Sequence, residues 1–191
     1  MTGESHTDGT AGFLLEMGML KRAKRSGWWI AGVKDPESIA EHSFRAGIIG
    51  SVLAMMEGAD PARVALLCLF HDTQETRVGD IPRIGRRYLT AASNESVTAD
   101  QVSEAHPAVR AGVQRIVEEY ENGTGLDVLC AHDADKLECL IQAVEYREQG
   151  YQNVQNWIDT SRSRLKTASA QSLAEAALRM TSVQWQETYL R

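Results

Sequence analysis

Four positions in this chain could do chemistry together: His42, the adjacent pair His71 and Asp72, and Asp135. Imidazole nitrogens mixed with carboxylate oxygens suit Mn, Fe, Co, Ni or Zn better than Ca. Four such donors around a six-coordinate ion would leave two positions, one for water and one for a substrate oxygen. That is the plan of a hydrolase, in which the ion acidifies water and polarises the group under attack. Glu75, one helical turn beyond His71, is placed to accept or relay a proton. Each residue also has a bland reading. A lone histidine on an apolar face is more often a satisfied core residue, so His42 becomes a ligand only if the others converge on it. Asp135 could instead pair with Lys136, although neighbours in sequence face different ways on a helix.

The elements that must position these groups are helical. Val64, Leu67, Cys68, His71, Asp72 and Glu75 recur three and four apart, along one side of a helix that is apolar above and ionisable below. Asp60-Pro61 opens that helix, and Gly79 with Pro82 closes the pattern. Asp35-Pro36-Glu37 gives the same start signal, with Asp35 as N-cap, for a helix running to Glu57 that holds His42, Ala46 and Ile49 on its core side. A long helix spans Leu126 to about Gln149, with Ala131, Asp135, Cys139, Gln142 and Tyr146 on one face. Gly12 to Arg25 reads as a first helix. Its basic end, Lys21, Arg22, Lys24 and Arg25, fits either the helix dipole or a grip on phosphate. Of the adjacent Trp28 and Trp29, one fits the core and the other a pocket wall.

Farther along, Arg83 to Ala92 reads as a short helix with Arg83, Arg86 and Arg87 exposed. Ala92 to Ala105 reads as a mobile loop with a short helix at Ala99 to Glu104. Pro107 to Tyr120 is amphipathic, and Ser169 to Leu190 reads as a last helix whose Trp185 and Tyr189 supply an interface or close the core. No alternating strand pattern occurs. The expectation is an all-α fold with one domain over residues 12–191 and a disordered tail over residues 1–11.

Composition removes several function classes. The net charge of −6 over 191 residues argues against a broad nucleic-acid surface. No apolar run is long enough to span a membrane, and the N-terminus lacks a signal-peptide core. Cys68, Cys130 and Cys139 are odd in number and lack CxxC spacing, which fits reduced thiols and a cytoplasmic protein. His6, His106 and His132 lie in a tail, a loop edge and a helix; His132 is close to the candidate ligands, but one extra histidine does not make a two-metal site.

The pattern His42 … His71-Asp72 … Asp135 resembles the signature of the HD-domain metal-dependent phosphohydrolases. The extended form His71-Asp72-x-x-Glu75-x-x-x-Gly79-Asp80-Ile81 is narrower. With Gly27-Trp28, Pro36-Glu37-Ser38-Ile39-Ala40-Glu41-His42 and Asp135-x-x-Glu138, it is similar to the 5′-deoxynucleotidase branch over roughly Leu20 to Tyr146. The resemblance implies an all-helical HD-domain fold, a homodimer, and one divalent metal, for which Co, Mn, Fe, Ni, Mg and Zn all stay open. It implies removal of phosphate from nucleoside 5′-monophosphates. It makes His42, His71, Asp72 and Asp135 the metal ligands and Glu75 the acid that works on the water or leaving oxygen. It places Asp80 on a sugar hydroxyl, Trp28 beside the sugar, and Arg25 on the phosphate. Bacterial members have arginine directly before the tryptophan, whereas Ser26 and Gly27 intervene here. Asp133 competes with Asp135 for its place, and the Asp-x-x-Glu context favours Asp135. Residues 88–125 depart from the family pattern. Two alternatives stay open: an HD phosphohydrolase acting on another nucleotide or small phosphate ester, and a non-catalytic metal-binding regulatory protein.

Overall fold

The computed structural model describes residues 3–187 and 189–190, which form an all-helical fold. In chain order the helices are α1 (Gly3–Met17), α2 (Gly27–Ile30), α3 (Ile39–Glu57), α4 (Pro61–Phe70), α5 (Glu75–Val78), α6 (Asn94–Gln101), α7 (Pro107–Asn122), α8 (Leu126–Glu148), α9 (Gln155–Arg162) and α10 (Ala168–Arg179). Among the described residues the only extended pairing is an isolated bridge between Lys24 and Ser38.

The centre of the fold is the stack of α3, α4 and α8, with α9 and α10 laid against α8. Leu53, Leu67, Leu137 and Leu140 are fully buried between them, each stabilising by roughly 1.5–3 kcal/mol. α3 and α4 approach closely at Gly50, where a Cβ would lie 2.8 Å from both Cys68 Sγ and Val64 Cγ1. Any larger residue there would push α4, and the chemistry at its C-terminal end, out of place. A smaller core of Phe13, Val102, Ala105 and Val113 joins α1 to α7.

Several boundaries differ from the sequence expectation for local reasons. The first helix begins at Gly3, so most of the segment read as a disordered tail is helical. It ends at Met17 and passes into a 3-10 turn over Gly18–Lys21, so Arg25 stands on irregular chain. Ser38, not Asp35, caps α3. Its hydroxyl accepts from Glu41 N–H while the Glu41 carboxylate accepts from Ser38 N–H, a reciprocal capping box that outcompetes the Asp-Pro signal. Asp60 does cap α4, accepting from the Ala62 and Arg63 amides. That helix stops at Phe70, and His71 to Gln74 form turns before α5. Ser93 caps α6, so the stretch read as a mobile loop is helical over Asn94–Gln101. Arg83 to Ala92 contains only a 3-10 turn at Gly85–Arg87. The last helix stops at Arg179, leaving Trp185 and Tyr189 exposed on short turns rather than on a helix face.

Candidate metal centre

His42, His71, Asp72 and Asp135 come together in the middle of the helical stack. α3 carries His42, fully buried, and α8 carries Asp135. The end of α4 supplies His71, with Asp72 in the turn just beyond. Ligand atoms of His42, His71 and Asp135 lie within 4.8 Å of one another. Asp72 Oδ2 lies 3.1 Å from His71 Nε2 and 3.7 Å from His42 Nε2, and Asp135 Oδ1 lies 3.4 Å from His42 Nε2.

Both histidines turn a buried Nε2 into this space with no hydrogen-bond partner. Their other ring nitrogens are tied down: His71 Nδ1 donates to the Cys68 carbonyl at 2.7 Å, and His42 Nδ1 faces Glu138 Oε2 at 2.5 Å. Two orphaned imidazole nitrogens facing carboxylates fit a divalent cation, because an unpaired buried polar atom is otherwise costly. Without an ion, a proton takes the attractive position. Burial and Arg25 both oppose charge on His42, yet Glu138 and Asp135 hold its pKa up to about 10.

Glu138 is the feature the sequence analysis gave no role. It is fully buried, and its Oε1 accepts from Arg45 Nε at 2.9 Å while its Oε2 holds His42. Arg45 in turn reaches Glu145 and Gln142, which locks α3 to α8. A carboxylate behind a metal-ligating histidine fixes its ring and raises its basicity. The signal was present in the spacing, since Glu138 follows Asp135 by one turn. The rival Asp133 is spent elsewhere: it accepts from Lys166 N–H, Thr167 N–H and Thr167 Oγ1, capping the approach to α10. Lys136, expected to face away, does pair with Asp135, on Oδ2 at 2.5 Å, leaving Oδ1 toward His42.

The centre opens into a cleft of about 1000 Å³ bordered by Arg25, Trp28, Asp72, Glu75, Asp80 and Asp135. Arg25 reaches Asp72 Oδ2 at 2.9 Å. The neighbouring Asp72 and Asp135 carboxylates hold that guanidinium charged against burial. Glu75, at the start of α5, has a buried Oε2 with no partner, and burial followed by the Asp72 charge pushes its pKa up to about 9. Asp80 Oδ2 accepts from Ser26 N–H at 2.5 Å, and Ser26 Oγ donates to the Asp80 carbonyl at 2.7 Å. This ties the α5 loop to the Arg25 segment. Trp28 is buried, with Nε1 donating to Glu37 and its ring stacked on Trp157, while Trp29 is the exposed member of the pair.

From the far side, α1 braces the Glu75 turn. Glu16 accepts from Thr76 Oγ1 and from Arg77, and Gln101 Nε2 donates to Glu16 and to the Thr73 carbonyl. Arg77 first, then Gln101 and Thr76, hold the Glu16 carboxyl down at about 2 against a partial burial that raises it.

Comparisons with known proteins give the family and the fold. The family described as HD domain matches residues 17–177. The 5′-deoxynucleotidase HDDC2 of Dictyostelium discoideum is 28% identical over 173 residues, covering 82% of this chain and 90% of that protein. Its human counterpart of the same name is 30% identical over 138 residues, covering 71% and 67%. Among solved structures, a conserved hypothetical protein from Pyrococcus furiosus superposes with a TM-score of 0.73 at 27% identity, covering 90% of this chain and all of that one. A predicted metal-dependent phosphohydrolase from Magnetospirillum magnetotacticum shares the fold at a TM-score of 0.71 and 22% identity, covering 93% of each chain.

Proposed function

The chain belongs to the HD-domain family and is a hydrolase, and we propose that it removes the 5′-phosphate from deoxynucleoside monophosphates, giving nucleoside and phosphate. One observation carries the reading: the paired orphan Nε2 atoms of His42 and His71 face Asp72 and Asp135 at the floor of a cleft that also holds Arg25 and Glu75. The curated relatives of similar sequence are named 5′-deoxynucleotidases, which supports the substrate class.

In this proposal His42, His71, Asp72 and Asp135 hold one divalent ion, from the set Co, Mn, Fe, Ni, Mg and Zn. When bound, that ion supplies Lewis-acid polarisation of the phosphate and acidification of water. Glu75 handles the proton between the attacking water and the O5′ leaving atom, and a carboxyl kept protonated by burial and the Asp72 charge suits the step that donates to O5′. Its unpaired Oε2 faces no competing donor. Arg25 neutralises the phosphate as charge builds on the equatorial oxygens. Trp28 and Asp80 border the sugar, and the Ser26 contact fixes the carboxylate for that task. Glu138 keeps the His42 ring oriented.

A second copy of the chain completes the assembly in this reading. Phe44, Ile48 and Met55 form an exposed apolar stripe along α3 that supports a dimer. No described helix is long and apolar enough to cross a membrane, and the free cysteines support a cytoplasmic location.

The test is phosphate release from matched deoxy- and ribonucleoside 5′-monophosphates, on protein stripped of metal and refilled with each ion. Ion-dependent release from the deoxy set is expected. Equal release from both sets would keep the phosphatase and discard the sugar role of Trp28 and Asp80. Release from neither, with the ion bound, would remove the nucleotidase reading.

A further inference from the structure

The cleft carries more positive charge than a nucleoside monophosphate uses. At its floor the cations are already matched, Arg25 to Asp72 and Lys136 to Asp135. Four more arginines line the same cleft: Arg83, Arg86 and Arg87 from the loop after Asp80, and Arg164 from the turn after α9. All four are exposed, whereas Asp135 and Trp28 are buried, so the arginines stand at the mouth. None pairs with an acid among the described residues; Arg86 alone has a side-chain bond, to the Ile81 carbonyl.

This gathering is anomalous in a chain of net charge −6. Like charges at one opening repel one another, and a cleft with low-dielectric walls concentrates their field. The fold brings Arg164 to the opening from a segment far from the other three. Guanidinium forks match phosphate oxygens in shape as well as charge. Of the acids that line the cleft, Asp72 and Asp135 sit with the candidate ion, Asp80 accepts from Ser26, and Glu75 is buried beside Asp72 with no arginine of the mouth on it, so an anion for these arginines is left to the ligand.

We propose that the cleft mouth is a second phosphate-binding subsite, and that the chain acts on nucleotides carrying one phosphate beyond the monophosphate. This rests on the nucleotidase reading and extends it. The bond broken is the same. A water oxygen bonds to the 5′-phosphorus, the P–O5′ bond breaks, and a proton goes to O5′. A second phosphate on the sugar leaves with the nucleoside; one attached to the 5′-phosphate leaves as pyrophosphate.

The experiment is calorimetric titration of the metal-loaded full chain carrying Glu75→Gln, at physiological salt. The probes are deoxyadenosine 5′-monophosphate, 5′-diphosphate and 3′,5′-bisphosphate. At least one two-phosphate probe should bind roughly tenfold more tightly than the monophosphate, the worth of about one charge-assisted hydrogen bond. Adding Arg83→Ala, Arg87→Ala and Arg164→Ala should bring that ratio close to one. Which probe gains identifies the position of the second phosphate. Three equal affinities, or a preference that survives the triple substitution, would overturn the subsite. Phosphate release from the monophosphate by the unsubstituted chain is measured alongside. Release with equal affinities overturns the subsite alone, and no release overturns the nucleotidase reading whatever the affinities are.

Discussion

Glu138→Gln should weaken ion binding without touching a proposed ligand. The substitution keeps the size and shape of the side chain but exchanges one acceptor oxygen for an NH₂ donor. In the native centre both oxygens are committed, Oε2 to His42 Nδ1 at 2.5 Å and Oε1 to Arg45 Nε at 2.9 Å. Whichever way the amide turns, it sets a donor against a donor in a fully buried position. A mismatched buried group of this kind costs about 1–3 kcal/mol. His42 can escape by turning its ring or by moving its proton to Nε2, and both remove the nitrogen that faces the ion. The ion dissociation constant should therefore rise roughly tenfold to hundredfold. Competition against a chromogenic chelator reads this directly, with circular dichroism to confirm the helical fold. A folded variant that binds the ion within twofold of the parent would refute the role given to Glu138.

Three further outcomes are expected. His71→Ala or Asp72→Ala should abolish ion binding and turnover together, whereas Glu75→Gln should keep the ion and lower turnover roughly a hundredfold or more; metal analysis beside phosphate release separates the two, and normal turnover in Glu75→Gln would remove its proton role. Asp133→Ala should cost about 2–4 kcal/mol of stability, because three donors at the approach to α10 lose their acceptor; urea unfolding reads it, and loss of ion binding in a folded variant would instead restore Asp133 as a ligand. The Glu16 carboxyl is held down at about 2 by Arg77, so its share of stability is present above the ordinary carboxylate pKa of about 4.5 and fades as pH falls toward 2. The gap between the parent and Glu16→Gln should close over that range in pH-dependent unfolding, and a constant gap would contradict the brace.

Much of this architecture is legible in the sequence because helices write their faces at intervals of three and four. That spacing places His42 and Asp135 on core-facing sides of long helices, and both prove to be buried there. It reads α4 too far, because His71 and Asp72 continue the periodicity after the hydrogen bonding has changed to turns. Caps mislead where two compete: Asp35-Pro36 is a sound start signal, and Ser38 with Glu41 satisfies more backbone donors. Convergence of distant segments leaves no periodic trace. Asp133 looks like a ligand until Thr167 is folded against it. Arg83 and Arg164 look like ordinary solvated charges until they line one opening.

The three elements that meet at the centre, α3, the end of α4 and α8, are also those whose faces build the main core. In the proposed ligand set, an ion gripped by all of them would be a cross-link as well as a reagent. Binding to the folded chain alone stabilises it by about 2.7 kcal/mol when the free ion stands a hundredfold above its dissociation constant. Scarcity of the ion then lengthens the time the helices spend apart, and with it their exposure to proteases. With that ligand set, the concentration of free ion would thus set the stability of the fold as well as the rate of turnover.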